Sequence, residues 1–226
     1  MVMFAAPNQR ELRWGIYSTL FVFFLMTPFL NILGKTFSIP FWALECMASL
    51  LSAGIFLVIL RNFLLMNWKQ AVKKPQQIIL FSLAGTIVLW LFQAGFSLLF
   101  PQHINFNDLS VAIDLAQSGI WGILATALLT PIFEELLLRG LLFRGLYDHS
   151  PLAAWVICCT LFPALHVLSY LGYYNLLSSL LTFVQYLPSG IILCLVYRKT
   201  GTILTPIIIH CLFNFLSILQ GGFLWH

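Results

Sequence analysis

Glu134, Glu135 and Arg139 place two adjacent carboxylates and a guanidinium in a chain of 226 residues that is 61% hydrophobic and only 8% charged. On a helix, Glu135 and Arg139 stand four residues apart on one face, in the Glu-before-Arg order that favours pairing. Glu134 points about 100° away, and its own i+4 position, 138, is a leucine. The pattern separates a carboxylate tied to an arginine from one left to project into a cavity, which suits a general base. A structural ion pair explains Glu135 and Arg139 equally well, but not a second glutamate beside them. Phe162 and His166 repeat the i, i+4 spacing, as do His210 and Asn214. Taken alone, His166 also fits a buried histidine bonded to backbone. His210 and Asn214 fit a polar cluster, a site for a developing oxyanion, or an interhelical clasp.

These side chains need helices to hold them in an apolar medium. Charged residues make up about 25% of ordinary soluble domains, so 8% marks an integral membrane protein. An ionisable group at the bilayer centre costs on the order of 3 kcal/mol, and the default reading of one is a functional site facing the protein interior. Apolar runs predict an all-α, polytopic bundle of about seven spans: 14–33, 41–60, 77–99, 111–147, two within 151–197, and 202–220. The first run, too long for a signal-peptide core, spans. The fourth is longer than a bilayer and predicted to bend at Pro131. Segment 61–74 reads as a basic loop, and the pair of spans within 151–197 breaks near residues 172–175. The five cysteines read as small buried hydrophobes.

Ten of the eleven lysines and arginines then fall on one side, with Lys35 alone on the other. The positive-inside rule puts the N-terminus in the cytoplasm and the C-terminus outside. The charge sits between apolar segments, where it sets orientation, and is no signal for nucleic acid. Counting about 1.5 Å per residue from the cytoplasmic helix ends brings Glu134, His166 and His210 to compatible depths. A proline lies three or four residues before each, at 131, 163 and 206. Each removes a helix hydrogen bond and frees a carbonyl, which is tolerated where a helix lines a cavity. His103 and His149 fall in predicted loops and His226 at the terminus.

In this order the three motifs resemble the CPBP family of intramembrane proteases, the type II CAAX prenyl endopeptidases and their bacterial Abi relatives, some linked to bacteriocin processing or immunity. The family pattern is E-E-x-x-x-R, F-x-x-x-H and H-x-x-x-N on separate membrane helices. The resemblance covers about residues 111–220, a catalytic core of helices 4–7 within 111–226, preceded by helices 1–3 in 1–110. It implies that Glu134 activates water with help from His166, that His210 and Asn214 stabilise the oxyanion, and that Glu135, Arg139 and Phe162 support them. Best-described members of the family resemble an eight-helix bundle, one more than the spans counted here.

Glu134, His166 and His210 also make a two-His, one-Glu set of the kind that holds zinc. The chain has no His-Glu-x-x-His motif, and a glutamate activating water without metal explains the same residues, so no metal is assigned. The expected partners are membrane lipid and a peptide or protein substrate. The rival reading is a non-catalytic adaptor or bacteriocin self-immunity protein of the same family in a bacterial cell membrane.

Overall fold

Asn8 opens the first helix, α1 (Gln9–Phe37), with a capping box: its side chain accepts from the Glu11 amide, and Glu11 accepts from the Asn8 amide. The other Glu11 oxygen accepts from the Phe63 amide at 2.9 Å, so one buried carboxylate caps two helices. The computed structural model describes residues 4–173 and 175–224. Tyr174, in the expected break after residue 171, and the terminal His226 lie outside the described residues. The remaining elements are α2 (Phe41–Ile59), α3 (Arg61–Ala71), α4 (Pro75–Leu99), α5 (Phe106–Ser118), α6 (Ile120–Tyr147), α7 (Pro151–Leu168), α8 (Leu176–Thr200) and α9 (Leu204–Leu224). Six of them, α1, α2, α4, α6, α7 and α8, are long and apolar enough to cross a membrane; α9 carries a shorter apolar stretch, and the all-α polytopic bundle holds.

Two expectations are corrected. Segment 61–74 is mostly the helix α3, not a loop: Phe63, Asn67 and Ala71 recur every four residues and are buried, a stripe its charges obscure. The stretch from 111 to 147 is not one span. Gly119 adopts φ 56° and ψ −129°, a conformation suited to glycine, and divides α5 from α6. The remaining 28 residues of α6 are about 42 Å long, closer to one bilayer crossing.

Prolines shape the interior of the helices. A proline ring collides with the carbonyl four residues back, and widening the preceding turn relieves it. A π-helical turn precedes Pro28 (Val22–Met26) and another precedes Pro131 (Ala125–Leu129). Where a bend at Pro131 was expected, the helix carries this wider turn.

The helix ends meet in two groups. At one end Phe4 packs on Tyr147 and Tyr197, Arg144 lies over Phe4, and Asn67 receives the Ile203 amide at 2.8 Å. This end gathers the basic segments near residues 10, 61–74, 144 and 198. At the other, the start of α5 meets the first half of α8 through Asn105, Gln185 and Tyr186. Between them runs a core that includes Phe56, Phe63, Leu136, Phe143, Cys158, Cys194 and Tyr197. All five cysteines are free, with 158, 159 and 194 buried. Packing crosses residue 110 throughout: α4 lies against α8 and α9, and α2 against α6.

α7 and α8 approach backbone to backbone at Gly190. A Cβ added at Gly190 would lie 2.6 Å from the Cys159 carbonyl oxygen, a backbone atom that cannot swing away. Gly190→Ala is expected to lower stability by about 1–3 kcal/mol, the usual penalty of overpacking. Gly54→Ala and Gly95→Ala, where a Cβ meets nothing within 4 Å, are not. Thermal midpoints of the three variants in one detergent check the contrast.

Candidate active site

The glutamate pair lies in the single α-helical turn Thr130–Glu135, between the π turn before it and the π-helical segment Leu136–Phe143 after it. Such segments disturb the helical ladder and recur at functional sites. Because α6 starts at Ile120, Glu134 falls about 20 Å from either end. It occupies the middle of its helix rather than the cytoplasmic half that a start near 111 implies.

The two carboxylates differ in surroundings. Glu135 and Arg139 are both fully buried, with Arg139 Nη1 2.8 Å from Glu135 Oε1. The same Oε1 accepts from His210 Nδ1 at 2.9 Å, a contact absent from the spacing argument, which paired Glu135 with Arg139 alone. Glu135 Oε2 is buried with no hydrogen-bond partner among the described residues. Arg139 reaches toward the Ser189 and Gly190 carbonyls with Nη2, at 3.4 and 3.5 Å, and lies 4.8 Å over the Phe162 ring. The guanidinium thus ties α6 to α7 and α8. Glu134 is different: its side chain is 25% exposed, and Oε2 lies 3.7 Å from His210 Nε2. That gap is too long for a direct hydrogen bond.

His166, two residues from the end of α7, keeps the predicted contact with Phe162, their rings 4.8 Å apart. His166 Nδ1 is 2.9 Å from the Phe162 carbonyl oxygen. A carbonyl only accepts, so Nδ1 carries the proton and the neutral ring presents Nε2 as a base. Phe162 also meets the His210 ring at 5.6 Å, so it joins the two histidines. Glu134, Glu135, Phe162 and His210 are thus brought together, with His166 attached through Phe162.

Asn214 is placed by Pro131. The Thr130 amide donates to Ala125 rather than to Thr126, and Pro131 has no N–H to offer, so the Thr126 carbonyl is left over. Asn214 Nδ2 supplies the missing donor at 3.0 Å. One of its two amide hydrogens is thereby committed to a clasp between α9 and α6, and the other remains.

Among the described residues no three His, Cys, Asp or Glu side chains gather as a metal-holding group. The two-His, one-Glu set seen in the sequence therefore does not close into a ligand set here. His103 lies apart, 3.2 Å from Thr182 Oγ1, with burial pushing its imidazole below the usual range. An apolar cavity of about 430 Å³ lies one turn from Glu134, between α1, α6 and α7, lined by Leu12, Phe23, Leu137, Leu141 and Leu165 among others.

Sequence reasoning missed the residue in closest ring contact with His166. Tyr186 on α8 lies 4.0 Å from it with the planes 27° apart. The one signal in the sequence was Gln185-Tyr186 just before Pro188, a polar pair beside a proline within an apolar run.

No curated protein and no solved structure matches the chain. A family model does match: that described as Type II CAAX prenyl endopeptidase Rce1-like, over residues 116–216. The matched segment begins before α6 and ends within α9, so it contains every side chain of the cluster around Glu134. Over that segment, the part of the chain that builds the site, the protein is similar to the Rce1-like type II CAAX prenyl endopeptidases.

Proposed function

We propose that the chain hydrolyses a peptide bond within or beside the membrane, with Glu134 as the base that activates water. The observation that carries this reading is the contrast within the pair: Glu135 is sealed and shared by Arg139 and His210, while Glu134 keeps an open side-chain oxygen. Glu134 takes a proton from water as the oxygen adds to the peptide carbonyl carbon. It returns that proton to the departing nitrogen as the C–N bond breaks. The Nε2 lone pair of His166 accepts the water's other hydrogen bond. His210, with Nδ1–H held by Glu135, presents Nε2–H to the oxyanion in its imidazolium form. The second amide hydrogen of Asn214 adds to that site. The apolar cavity that begins one turn from Glu134 supports a substrate that arrives along the membrane.

The clustering of basic segments at the end that holds Phe4, Tyr147 and Ile203 supports a cytoplasmic N-terminus and an external C-terminus.

Mass spectrometry of cell-envelope peptides from wild-type and Glu134→Ala cells tests the reading. Peptides are expected to appear or vanish with the glutamate. A phenotype rescued in full by the Glu134→Ala protein would instead establish the adaptor or immunity role. Asn214→Ala separates clasp from catalysis at a single residue. Interhelical hydrogen bonds in membranes are worth about 0.6 kcal/mol on average and at most about 1.7, whereas an oxyanion donor is worth about 10²-fold in rate. The expected variant is folded, slightly less stable and about 10²-fold slower.

A further inference from the structure

Tyr186 is the most heavily constrained hydroxyl near the site. Its oxygen accepts from Asn107 Nδ2 at 2.9 Å and from Asn105 Nδ2 at 3.2 Å, and its hydrogen goes to Asp108 Oδ1 at 3.0 Å. One donor hydrogen and two lone pairs are all a phenol has, so all its hydrogen-bonding positions are used. The three partners belong to one small unit. Asn105 is the N-cap of α5, and its Oδ1 accepts from the amides of Asn107 and Asp108. Asn105 Nδ2 also donates to Gln185 at 2.9 Å, fixing the same turn of α8 a second time. The first turn of α5 is therefore a clamp on the tip of the Tyr186 side chain.

The body of that side chain serves a different neighbour. Its ring lies against His166 at 4.0 Å, near parallel, and meets Phe162 at 6.4 Å. A bond from Nδ1 to the Phe162 carbonyl fixes which nitrogen carries the proton, but an imidazole on one hydrogen bond still tilts about it. A ring stacked on its face removes that freedom. With both constraints Nε2 points in one direction only, as a group working within a fraction of an ångström requires.

We propose that Tyr186 is a positioning residue for His166, held in place by Asn105, Asn107 and Asp108. This rests on the reading of His166 as a partner in water activation. It assigns α5, which is too short and polar to count among the spans, the task of bracing the site from the membrane face opposite the basic end.

The test combines a spectroscopic and a kinetic readout on the purified full chain in detergent. In histidine-labelled protein the His166 signals, identified by their loss in His166→Ala, should show one tautomer and the upfield ring-current shift of a stacked phenol. Tyr186→Leu should abolish that shift and broaden the ring signals as the imidazole tilts, with the Nδ1–H tautomer kept by the Phe162 carbonyl. Tyr186→Phe, which keeps the ring but releases the clamp, should fall between. The kinetic probe is release of peptides from Glu134→Gln membranes by added enzyme. Tyr186→Leu should be about tenfold slower, since small misplacements of reacting groups cost up to about 10²-fold, and Tyr186→Phe should recover part of that rate. An unchanged His166 spectrum in folded Tyr186→Leu protein overturns the proposal, as does an unchanged rate with a released imidazole. Either result leaves the Glu134 mechanism standing if Glu134→Gln is inactive in the same preparation. Activity in Glu134→Gln overturns that mechanism instead, while the spectra still decide whether Tyr186 orients His166.

Discussion

Glu134→Gln should lower the rate of peptide cleavage by about 10²–10⁴-fold, the range general-base catalysis contributes, while leaving helix content and thermal unfolding unchanged. Glutamine has the same shape and removes only the ability to take a proton. Glu134 is not in the buried ion pair: its carboxylate is partly open, and His210 Nε2 stands 3.7 Å from it. The variant should therefore insert and fold normally. Purified protein mixed with membranes from Glu134→Gln cells gives the rate, and circular dichroism gives the fold. Full activity in the folded variant would sink the proposed mechanism. A loss of activity that tracks a loss of structure would show Glu134 to be a packing residue instead.

Arg139→Met carries the largest expected effect on stability. Glu135 and Arg139 have no exposed side-chain surface, and the guanidinium also reaches two α8 carbonyls and covers the Phe162 ring. Removing one partner of a buried pair strands the other, at about 3–5 kcal/mol. Replacing both partners removes the stranded charge, so Glu135→Gln combined with Arg139→Met should recover part of the loss. The double variant still lacks the acceptor that holds His210 Nδ1 as a carboxylate, so stability should return further than activity. Thermal midpoints in a single detergent, read with the cleavage rate, check the order. Equal midpoints for the single and double variants would refute the ion-pair account.

The different surroundings of Glu134 and Glu135 were legible because they depend on position along one helix, where four residues return a side chain to the same face. The same geometry made Phe162–His166 and His210–Asn214 visible as pairs. What one helix does to another was not legible. His210 bonds to Glu135 across 75 residues, and Tyr186 bonds to Asp108 across 78, and neither spacing has a signature in the chain. Asn214 fell between these cases. Its proximity to a proline-freed carbonyl was in reach, but a carbonyl on another helix, Thr126, receives it. In the fold, Gly119 was masked by apolar neighbours that made length alone look decisive, although Ser-Gly is a turn signal. Segment 61–74 was masked by its charges, which drew attention from the buried Phe63, Asn67 and Ala71 beneath them.

The contact of Phe4 with Tyr197, 5.1 Å between rings, also governs the order of assembly. The two residues are separated by almost the whole chain, and contacts of such long range form slowly because the intervening loop must close first. At about 5–20 residues per second of synthesis, Phe4 waits about 10–40 s for Tyr197 to be made. Asn67 waits about 7–27 s for its own contact with Ile203. Until then the basic end of the bundle is unfinished, with the Phe4 ring lacking part of its packing. Closing that end is a late event in biogenesis, and the Glu11 carboxylate that caps α1 and α3 is the contact that can hold the early helices in register during the wait.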